Sequence, residues 1–197
     1  NVLQNSKTYK CKISNAQCGS GFFSNTLRVQ VDTVPAITWS SSAYVACNNQ
    51  GEVLIPEATP AGGVYIGTYI VNGNSFNTVG LNAGNYPIQY SYFDNETGCN
   101  VRASRYFLIN AAPNVVWTGS NYALCEYNHN PFTLSGATPS GGIYQGEGVY
   151  SNNMFYPDSV SIGTHEIRYI YTQASTGCSD TAVRNVVISA QPVVSWT

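Results

Sequence analysis

Hydrophobic and polar side chains alternate with a period of two residues in two stretches of the chain, 86–92 and 166–171. In the second stretch Ile167, Tyr169 and Tyr171 occupy every other position. A period of two places successive side chains on opposite faces of a β-strand. No stretch shows the 3.6-residue periodicity of an amphipathic helix, so the sequence predicts an all-β protein.

A second run rich in β-branched residues follows each alternating stretch, at 101–109 and at 181–188. Turn-forming residues separate the two runs, at 94–98 in one case and at 173–177 in the other. Strand, turn and strand in this order predict a hairpin. Several short strands within about 79 residues are typical of two packed sheets, so we expect antiparallel β-sandwiches of the immunoglobulin-like type.

The chain repeats itself with a period of 78 to 79 residues. Trp39, Trp117 and Trp196 follow this period, and a proline precedes each tryptophan by four residues. A fixed period indicates tandem units of one fold. The matched segments include 58–60 with 137–139, 62–65 with 141–144, Phe76 with Phe155, and 97–99 with 176–178.

The repeat predicts where the domains begin and end. Residues 35–112 and 113–191 form two complete immunoglobulin-like repeats. Residues 1–34 match only the C-terminal hairpin of a preceding or partial immunoglobulin-like domain, and residues 192–197 match the start of a further repeat. We therefore expect both ends to be cuts through a longer polypeptide. A short proline-containing segment joins the repeats, and proline restricts the backbone, so we expect a stiff connection.

The chain has six cysteines, an even number, with no Cys-X-X-Cys pair and no histidine at metal-ligand spacing. This pattern favours disulfides formed in an oxidising compartment over a metal site. We predict the bonds Cys47–Cys99 and Cys125–Cys178, one within each repeat. The chain-entropy model gives each such bond about 4 kcal/mol.

Cys11 and Cys18 lie in the incomplete N-terminal segment. A tight turn near Ser14 and Asn15 would place the two cysteines opposite each other across a hairpin, where they could bond. The alternative is that each has a partner outside this chain.

Charged residues make up 9% of the chain, against about 25% in ordinary soluble domains. The net charge is -2, and the three lysines all lie within the first 12 residues. The chain lacks the positive field that neutralises phosphates, so we expect no nucleic-acid partner. Its apolar runs are far shorter than the roughly 20 residues that span a bilayer, so we expect a soluble chain without membrane insertion.

Side chains that could carry catalysis are few. His129 and His165 do not recur at the matching positions of the first repeat, and no motif brings a nucleophile to either of them. The cluster 94–96 could offer oxygen ligands to calcium, but a turn stabilised by Asx hydrogen bonds explains it as well. The sequence therefore predicts no catalytic residue, no metal and no cofactor.

Fifteen tyrosines are the most suggestive feature for binding, because exposed aromatic rings stack on sugars and anchor partner proteins. The tyrosines of the two alternating stretches share one face of a core strand and are expected to pack inside. The candidate ligand contacts are therefore tyrosines of predicted loops, namely Tyr44, Tyr122, Tyr127 and Tyr150.

The second repeat contains a recognisable series of motifs: Phe132 to Tyr144 (FTLSGATPSGGIY), Gly146 to Val149 (GEGV), Phe155, Gly163-Thr164, Ile167 to Tyr171 (IRYIY) and Thr176 to Ser179 (TGCS). This series resembles the PKD-like and Ig-like repeats of large secreted Bacteroidetes proteins, and the match extends over both complete repeats. The resemblance implies tandem β-sandwiches in a long secreted or surface protein that acts as an adhesin or as a spacer. The family has no common catalytic residues.

Three short segments resemble the Asp-Ser/Thr-aliphatic O-glycosylation sites of exported Bacteroidetes proteins. That resemblance makes Thr33, Ser159 and Thr181 candidate O-glycosylation sites.

These features predict a non-catalytic extracellular module, secreted or at the cell surface, that is part of a larger multidomain protein. It would act as a stiff spacer or as a cell-surface interaction segment. The expected partners are neighbouring Ig-like repeats of the same chain and, for adhesion, a polysaccharide or a cell-surface protein. The alternative is a carbohydrate-binding module attached to a secreted polysaccharide-degrading enzyme.

Overall fold

A computed structural model describes residues 5–15, 18–31, 33–40, 43–151, 153–194 and 196. These residues form β-strands and one 3-10 helix, Pro157–Ser159, and contain no α-helix. The prediction of an all-β protein is confirmed. Within the same residues, no helix is long and apolar enough to cross a membrane.

The strands before residue 112 are β1 Asn5–Tyr9, β2 Lys12–Asn15, β3 Cys18–Phe23, β4 Leu27–Val31, β5 Thr38–Trp39, β6 Ala43–Cys47, β7 Glu52–Leu54, β8 Ala58–Thr59, β9 Val64–Ile66, β10 Ile70–Val71, β11 Ser75–Asn77, β12 Gly84–Asp94 and β13 Cys99–Asn110. The later strands are β14 Val116–Trp117, β15 Tyr122–Cys125, β16 Phe132–Thr133, β17 Ala137–Thr138, β18 Ile143–Gln145, β19 Val149–Tyr150, β20 Met154–Phe155, β21 Gly163–Thr172 and β22 Ser179–Ser189.

The two sequence repeats contain the same set of sheets. The first repeat has a four-stranded sheet ordered β6-β13-β12-β9, a three-stranded sheet ordered β10-β11-β7, and a short pair, β5 with β8. The second repeat has β15-β22-β21-β18, β19-β20-β16, and β14 with β17. Strands in corresponding places are one sequence period apart, so the repeated sequence gives a repeated set of strand pairings.

The predicted terminal hairpins are present as β12 with β13 and β21 with β22. In the second hairpin the antiparallel register runs from Gly163 opposite Ile188 to Thr172 opposite Ser179. One pairing in the same sheet is parallel, because β15 lies beside β22 with Cys125 opposite Ser189. The first strand of the sheet therefore ends at the edge where the last strand also ends.

The core of the second repeat confirms the alternation in the sequence. Ile167 and Tyr169 on β21 are buried, and their neighbours Glu166 and Arg168 are exposed. They pack with Trp117, Phe155 and other buried residues into one cluster. The Trp117 indole also donates a hydrogen bond from Nε1 to the Ser135 carbonyl oxygen, at 2.9 Å.

By their contacts, the residues group into two compact units. One comprises Asn1–Ala43, Leu54–Phe76 and Pro87–Tyr106, and the other comprises Tyr44–Val53, Asn77–Tyr86 and Phe107–Thr197. This division passes through the first predicted repeat. The domain boundaries at 35–112 and 113–191 therefore stay a prediction.

The N-terminal segment forms a hairpin from β2 and β3, enclosed in sequence by the antiparallel pair β1 and β4. The register of the hairpin places Asn15 opposite Cys18, whereas the carbonyl oxygen of Cys11 accepts a hydrogen bond from Ser24 N, at 2.9 Å. The expectation that Cys11 and Cys18 face each other is wrong, because they lie at opposite ends of the hairpin. Cys11 has a free, exposed thiol, and the side chain of Cys18 lies outside the described residues.

Candidate functional site

Each repeat has a buried tyrosine that holds a turn by its hydroxyl group. Tyr90 Oη accepts a hydrogen bond from Gly63 N at 2.7 Å and donates one to the Pro60 carbonyl oxygen at 2.6 Å. Tyr169 Oη makes the same pair of bonds in the second repeat, with Gly142 N and the Pro139 carbonyl oxygen, at the same distances. The matched Ala-Thr-Pro and Gly-Gly segments of the sequence are therefore the two sides of one tyrosine-anchored turn.

The second glycine of each pair is required by the close approach of the tyrosine. A Cβ atom on Gly63 would lie 2.4 Å from Cζ of Tyr90, and one on Gly142 would lie 2.5 Å from Cζ of Tyr169. No side chain fits at such distances. These glycines therefore allow the tyrosine hydroxyl group to reach the backbone of the turn.

A second tyrosine lies against the anchoring ring in each repeat. The ring centroids of Tyr65 and Tyr90 are 4.9 Å apart, and those of Tyr144 and Tyr169 are 4.7 Å apart. The Tyr65 hydroxyl accepts a hydrogen bond from Ala58 N at 2.9 Å. Burial raises the pKa of Tyr144 above its ordinary value, and the hydrogen bond from the Ala137 backbone opposes that shift in part.

These tyrosines form the floor of a shallow depression in each repeat. The first depression has a volume of about 220 Å³ and contains Glu57. The second has a volume of about 450 Å³, and Gly136 takes the place of that glutamate. General acid–base catalysis by carboxylates needs a positioned pair, and the lining of each depression does not offer one.

Cys47 and Cys178 form a disulfide, with Cα atoms 5.7 Å apart and a sequence separation of 131. It joins the first sequence repeat to the second. The predicted bonds Cys47–Cys99 and Cys125–Cys178 are wrong, and Cys99 and Cys125 are free.

The parallel pairing of β15 with β22 explains why a bond between Cys125 and Cys178 cannot form. Cys125 lies opposite Ser189, at the end of β22, whereas Cys178 immediately precedes Ser179, the first residue of that strand. An extended strand rises by about 3.3 Å per residue, so Cys125 and Cys178 lie roughly 35 Å apart. The sequence carried no sign of the parallel pairing, and equal spacing of the cysteines suggested the wrong partners.

Hydrogen bonds flank the disulfide on both of its sides. Asn49 Nδ2 donates to the Ser179 carbonyl oxygen at 2.9 Å, and Val115 N donates to Asp180 Oδ2 at 3.2 Å. The segment that leaves the first repeat is also held, because Ala112 N donates to Asn48 Oδ1 at 2.8 Å. Sequence reasoning missed these contacts, since single asparagine and aspartate residues form no motif.

The candidate ligand tyrosines differ in exposure. Tyr127 lies in a turn and is 62% exposed. Tyr150 is 54% exposed, but it lies on strand β19 and not in a loop as predicted. Tyr44 is not a loop residue, because it is 9% exposed on β6 and its ring centroid lies 5.3 Å from that of Phe107. Tyr122 is half-buried on β15. Its ring is covered by the Arg184 guanidinium, whose Cζ lies 4.6 Å from the ring centroid. Ligand contact by these residues stays a prediction.

The histidines have structural partners. His129 is exposed and forms a hydrogen bond with Asp158. His165 is buried on β21. Its Nε2 lies 2.7 Å from the Ser161 carbonyl oxygen, and its Nδ1 lies 2.9 Å from a Glu147 carboxylate oxygen.

The acidic cluster at 94–96 forms a turn. Asp94 accepts hydrogen bonds from Glu96 N and from the Thr97 hydroxyl, each at 3.0 Å. In the described part of the chain, no group of three or more His, Cys, Asp or Glu side chains is arranged to hold a metal ion. The hydrogen bonds are those of the Asx turn that the sequence suggested.

The candidate glycosylation residues Thr33, Ser159 and Thr181 are all exposed. Ser159 belongs to the 3-10 helix, and its hydroxyl donates a hydrogen bond to the Tyr156 carbonyl oxygen at 2.7 Å. Exposure is necessary for glycosylation and does not demonstrate it, so these three sites stay predictions.

No protein-family model matches the chain, and no curated protein matches it. Among solved structures, the fibronectin(III)-like modules of Clostridium thermocellum CbhA are similar with 11% identity and a TM-score of 0.34, over 79% of this chain and 95% of theirs. Drosophila N-cadherin EC1-3 is similar with 9% identity and a TM-score of 0.33, over 84% of this chain and 74% of its own. The insect immune protein hemolin is similar with 9% identity and a TM-score of 0.33, over 93% of this chain and 56% of its own. These values are too low to indicate a shared family or function.

Proposed function

We propose that this chain is a non-catalytic extracellular module whose two sequence repeats act together as a stiff spacer in a secreted or cell-surface protein. The observation that supports the proposal is the Cys47–Cys178 bond, which joins the end of a strand in one repeat to the start of a strand in the next. A covalent link of this kind limits how far the two repeats can separate or turn. A disulfide in this role is also typical of oxidising, extracellular compartments.

Two further observations favour a spacer. Hydrogen bonds from Asn49 and to Asp180 surround the disulfide, so the connection between the repeats is supported at several points. The matched sequence motifs are accounted for by tyrosine-anchored turns, as in Tyr90 with Gly63 and Tyr169 with Gly142, and their hydroxyl groups are already hydrogen-bonded. The resemblance to PKD-like and Ig-like repeats of secreted Bacteroidetes proteins points to the same role.

Small-angle X-ray scattering tests the proposal. We expect the oxidised chain to scatter as one body with a narrow distribution of sizes, and the double variant Cys47→Ala/Cys178→Ala to show a broader distribution. The matched control is Cys99→Ala/Cys125→Ala, which removes two free thiols and keeps the bond. Two freely reorienting lobes in the oxidised wild-type chain would overturn the spacer proposal.

Carbohydrate binding is the second candidate, and one observation favours it. Tyr150 and Tyr156 are both exposed, with ring centroids 5.4 Å apart and planes at 83°. Perpendicular rings leave one flat face for a sugar to stack on. We expect Tyr150→Ala to abolish any polysaccharide binding found by a glycan screen, while Tyr106→Ala, at a position that is equally exposed, leaves it intact. If the folded wild-type chain binds no polysaccharide, this candidate is rejected.

A further inference from the structure

One sequence period relates the two free cysteines to the two bonded ones. Cys125 occupies the position of Cys47, and Cys99 occupies the position of Cys178. Cys125 is exposed and Cys99 is half-buried, and neither is bonded. One disulfide therefore joins the two repeats, and each of its two cysteine positions recurs once in the chain as a free cysteine.

The backbone around Cys125 repeats the backbone around Cys47. Gln50 N donates to the Cys47 carbonyl oxygen at 3.2 Å, and at the matching position Asn128 N donates to the Cys125 carbonyl oxygen at 2.9 Å. Each cysteine is the last residue of an edge strand of its four-stranded sheet, β6 for Cys47 and β15 for Cys125. The backbone that carries the Cys125 thiol therefore matches the backbone that carries the Cys47 sulfur.

The segment that leaves each repeat is also held in the same way. Ala112 N donates to Asn48 Oδ1 at 2.8 Å, and Gln191 N donates to Glu126 Oε1 at 3.4 Å. In both repeats the acceptor is the side chain directly after the first cysteine. The segment after the last strand of each repeat is therefore held at the same position relative to the first cysteine of that repeat.

The turn before Cys99 likewise matches the turn before Cys178. Gly98 N donates to the Asp94 carbonyl oxygen and Gly177 N donates to the Gln173 carbonyl oxygen, both at 2.8 Å. In each turn the cysteine backbone N–H donates to the threonine hydroxyl two residues earlier, at 3.4 Å for Cys99 and 3.2 Å for Cys178.

We propose that Cys125 and Cys99 are the open ends of a disulfide series, in which the first cysteine of one repeat bonds the last cysteine of the repeat that follows it. Cys125 takes a cysteine at the position of Cys178, and Cys99 takes a cysteine at the position of Cys47. The partner is another repeat of this kind. A second copy of the chain supplies both positions, so Cys125 of one copy joins Cys99 of the next, head to tail.

This inference rests on the proposed spacer function, because it extends one stiff connection into a series. The flanking hydrogen bonds differ at the new connection. Tyr127 stands where Asn49 is, and Val101 stands where Asp180 is, so the amide and the carboxylate that form the hydrogen bonds beside Cys47–Cys178 are both replaced. The disulfide between Cys125 and Cys99 accordingly contributes a larger share of the contact between the two repeats.

The bond forms by thiol–disulfide exchange with a small-molecule disulfide such as oxidised glutathione. The Cys125 thiolate attacks the glutathione disulfide and one glutathione leaves as its thiol. The Cys99 thiolate of the partner then attacks the mixed disulfide and releases the second glutathione. Two cysteine thiols are oxidised, and one glutathione disulfide is reduced to two thiols.

The experiment incubates the chain with oxidised glutathione and maps the new disulfides by peptide mass spectrometry. All proteins in this experiment carry Cys11→Ala and Cys18→Ala. Cys99 and Cys125 are then the only cysteines of the chain besides the bonded pair Cys47 and Cys178. A second arm uses a tandem fusion, residues 1–191 followed by residues 35–197, in which a repeat follows Cys125 in the same polypeptide. The matched control variants are Cys99→Ala and Cys125→Ala, each of which leaves one thiol.

We expect the peptide that links Cys125 to Cys99 in at least one arm, and at least a tenfold excess of it over the Cys125–Cys125 and Cys99–Cys99 peptides. Linkage in the unfused chain identifies a second copy as the partner, and linkage in the fusion alone identifies a following repeat. The proposal is overturned if Cys125 stays a thiol in both arms, or if the three possible peptides form in statistical proportions.

Failure of this inference can be told apart from failure of the spacer function. Scattering by the wild-type chain depends on Cys47–Cys178, which remains intact in both arms. A compact chain without the Cys125–Cys99 bond retains the spacer and rejects the series. Free reorientation of the two repeats rejects the spacer itself.

Discussion

The hydroxyl oxygen of Tyr169 lies 2.7 Å from the backbone nitrogen of Gly142 and 2.6 Å from the carbonyl oxygen of Pro139. The ring is 2% exposed, so both hydrogen bonds are shielded from water. Tyr90 makes the matching bonds in the first repeat. The anchored turn is a shared structural element of the two repeats, and its removal should be costly in each.

Replacing Tyr169 by Phe keeps the ring and removes both hydrogen bonds. Gly142 N–H and the Pro139 carbonyl then lose their partner, and an unsatisfied buried polar group costs about 1 to 3 kcal/mol. We expect a loss of unfolding free energy in that range, measured by urea denaturation. Tyr150→Phe at an exposed position is the control and should change stability by less than about 0.5 kcal/mol. Equal effects of the two variants would contradict the anchoring role.

Gly142→Ala and Gly141→Ala separate steric crowding from backbone strain. The new Cβ of Gly142→Ala would lie 2.5 Å from Tyr169 Cζ and 2.5 Å from the Ile170 carbonyl oxygen, and overpacking of this kind costs about 1 to 3 kcal/mol. Gly141 has φ of 93° and open space around it, so its alanine variant is expected to lose about 1 kcal/mol. Thermal denaturation should rank Gly142→Ala as the less stable variant, and the reverse order would refute the close contact.

Removal of the disulfide should destabilise the chain strongly. For a bond between residues separated by 131 positions, the chain-entropy model gives about 5 kcal/mol. We expect Cys47→Ala/Cys178→Ala to unfold at a much lower urea concentration than the oxidised wild type. Cys99→Ala is the control, because Cys99 is free, and its midpoint should barely move. A large effect of Cys99→Ala would contradict the Cys47–Cys178 bond and support the Cys47–Cys99 bond that the sequence predicted.

Stability should also depend on alkaline pH through Tyr144. Burial raises the pKa of its hydroxyl above the ordinary value of 10.0, so the folded state holds the proton more tightly than the unfolded chain does. The resulting contribution is complete below pH 10 and is lost as the pH rises through the folded-state pKa. We expect urea midpoints to fall above pH 10, and to fall less steeply in Tyr144→Phe. An identical slope in both proteins would contradict this contribution.

The sequence by itself determined the all-β class, the period and the inward face of the two alternating strands. Alternation at 86–92 and 166–171 identified β12 and β21, because side chains of a half-buried strand must alternate between core and solvent. Two copies of one pattern predicted two copies of one sandwich, and the sheets correspond strand by strand. The Ala-Thr-Pro and Gly-Gly segments were visible as a repeat, but the sequence did not show that a tyrosine hydroxyl group anchors them.

Tertiary structure alone decided the partners of residues distant in the sequence. Cys47, Cys99, Cys125 and Cys178 have the same spacing whether the bonds lie within the repeats or between them, so spacing could not choose. The choice follows from the parallel pairing of β15 with β22, which places the cysteines of one repeat at opposite ends of a sheet. Likewise, the burial of Tyr44 and His165 depends on which strand covers them. Periodicity records which face a residue occupies, whereas a contact also requires the position of the element that lies against that face.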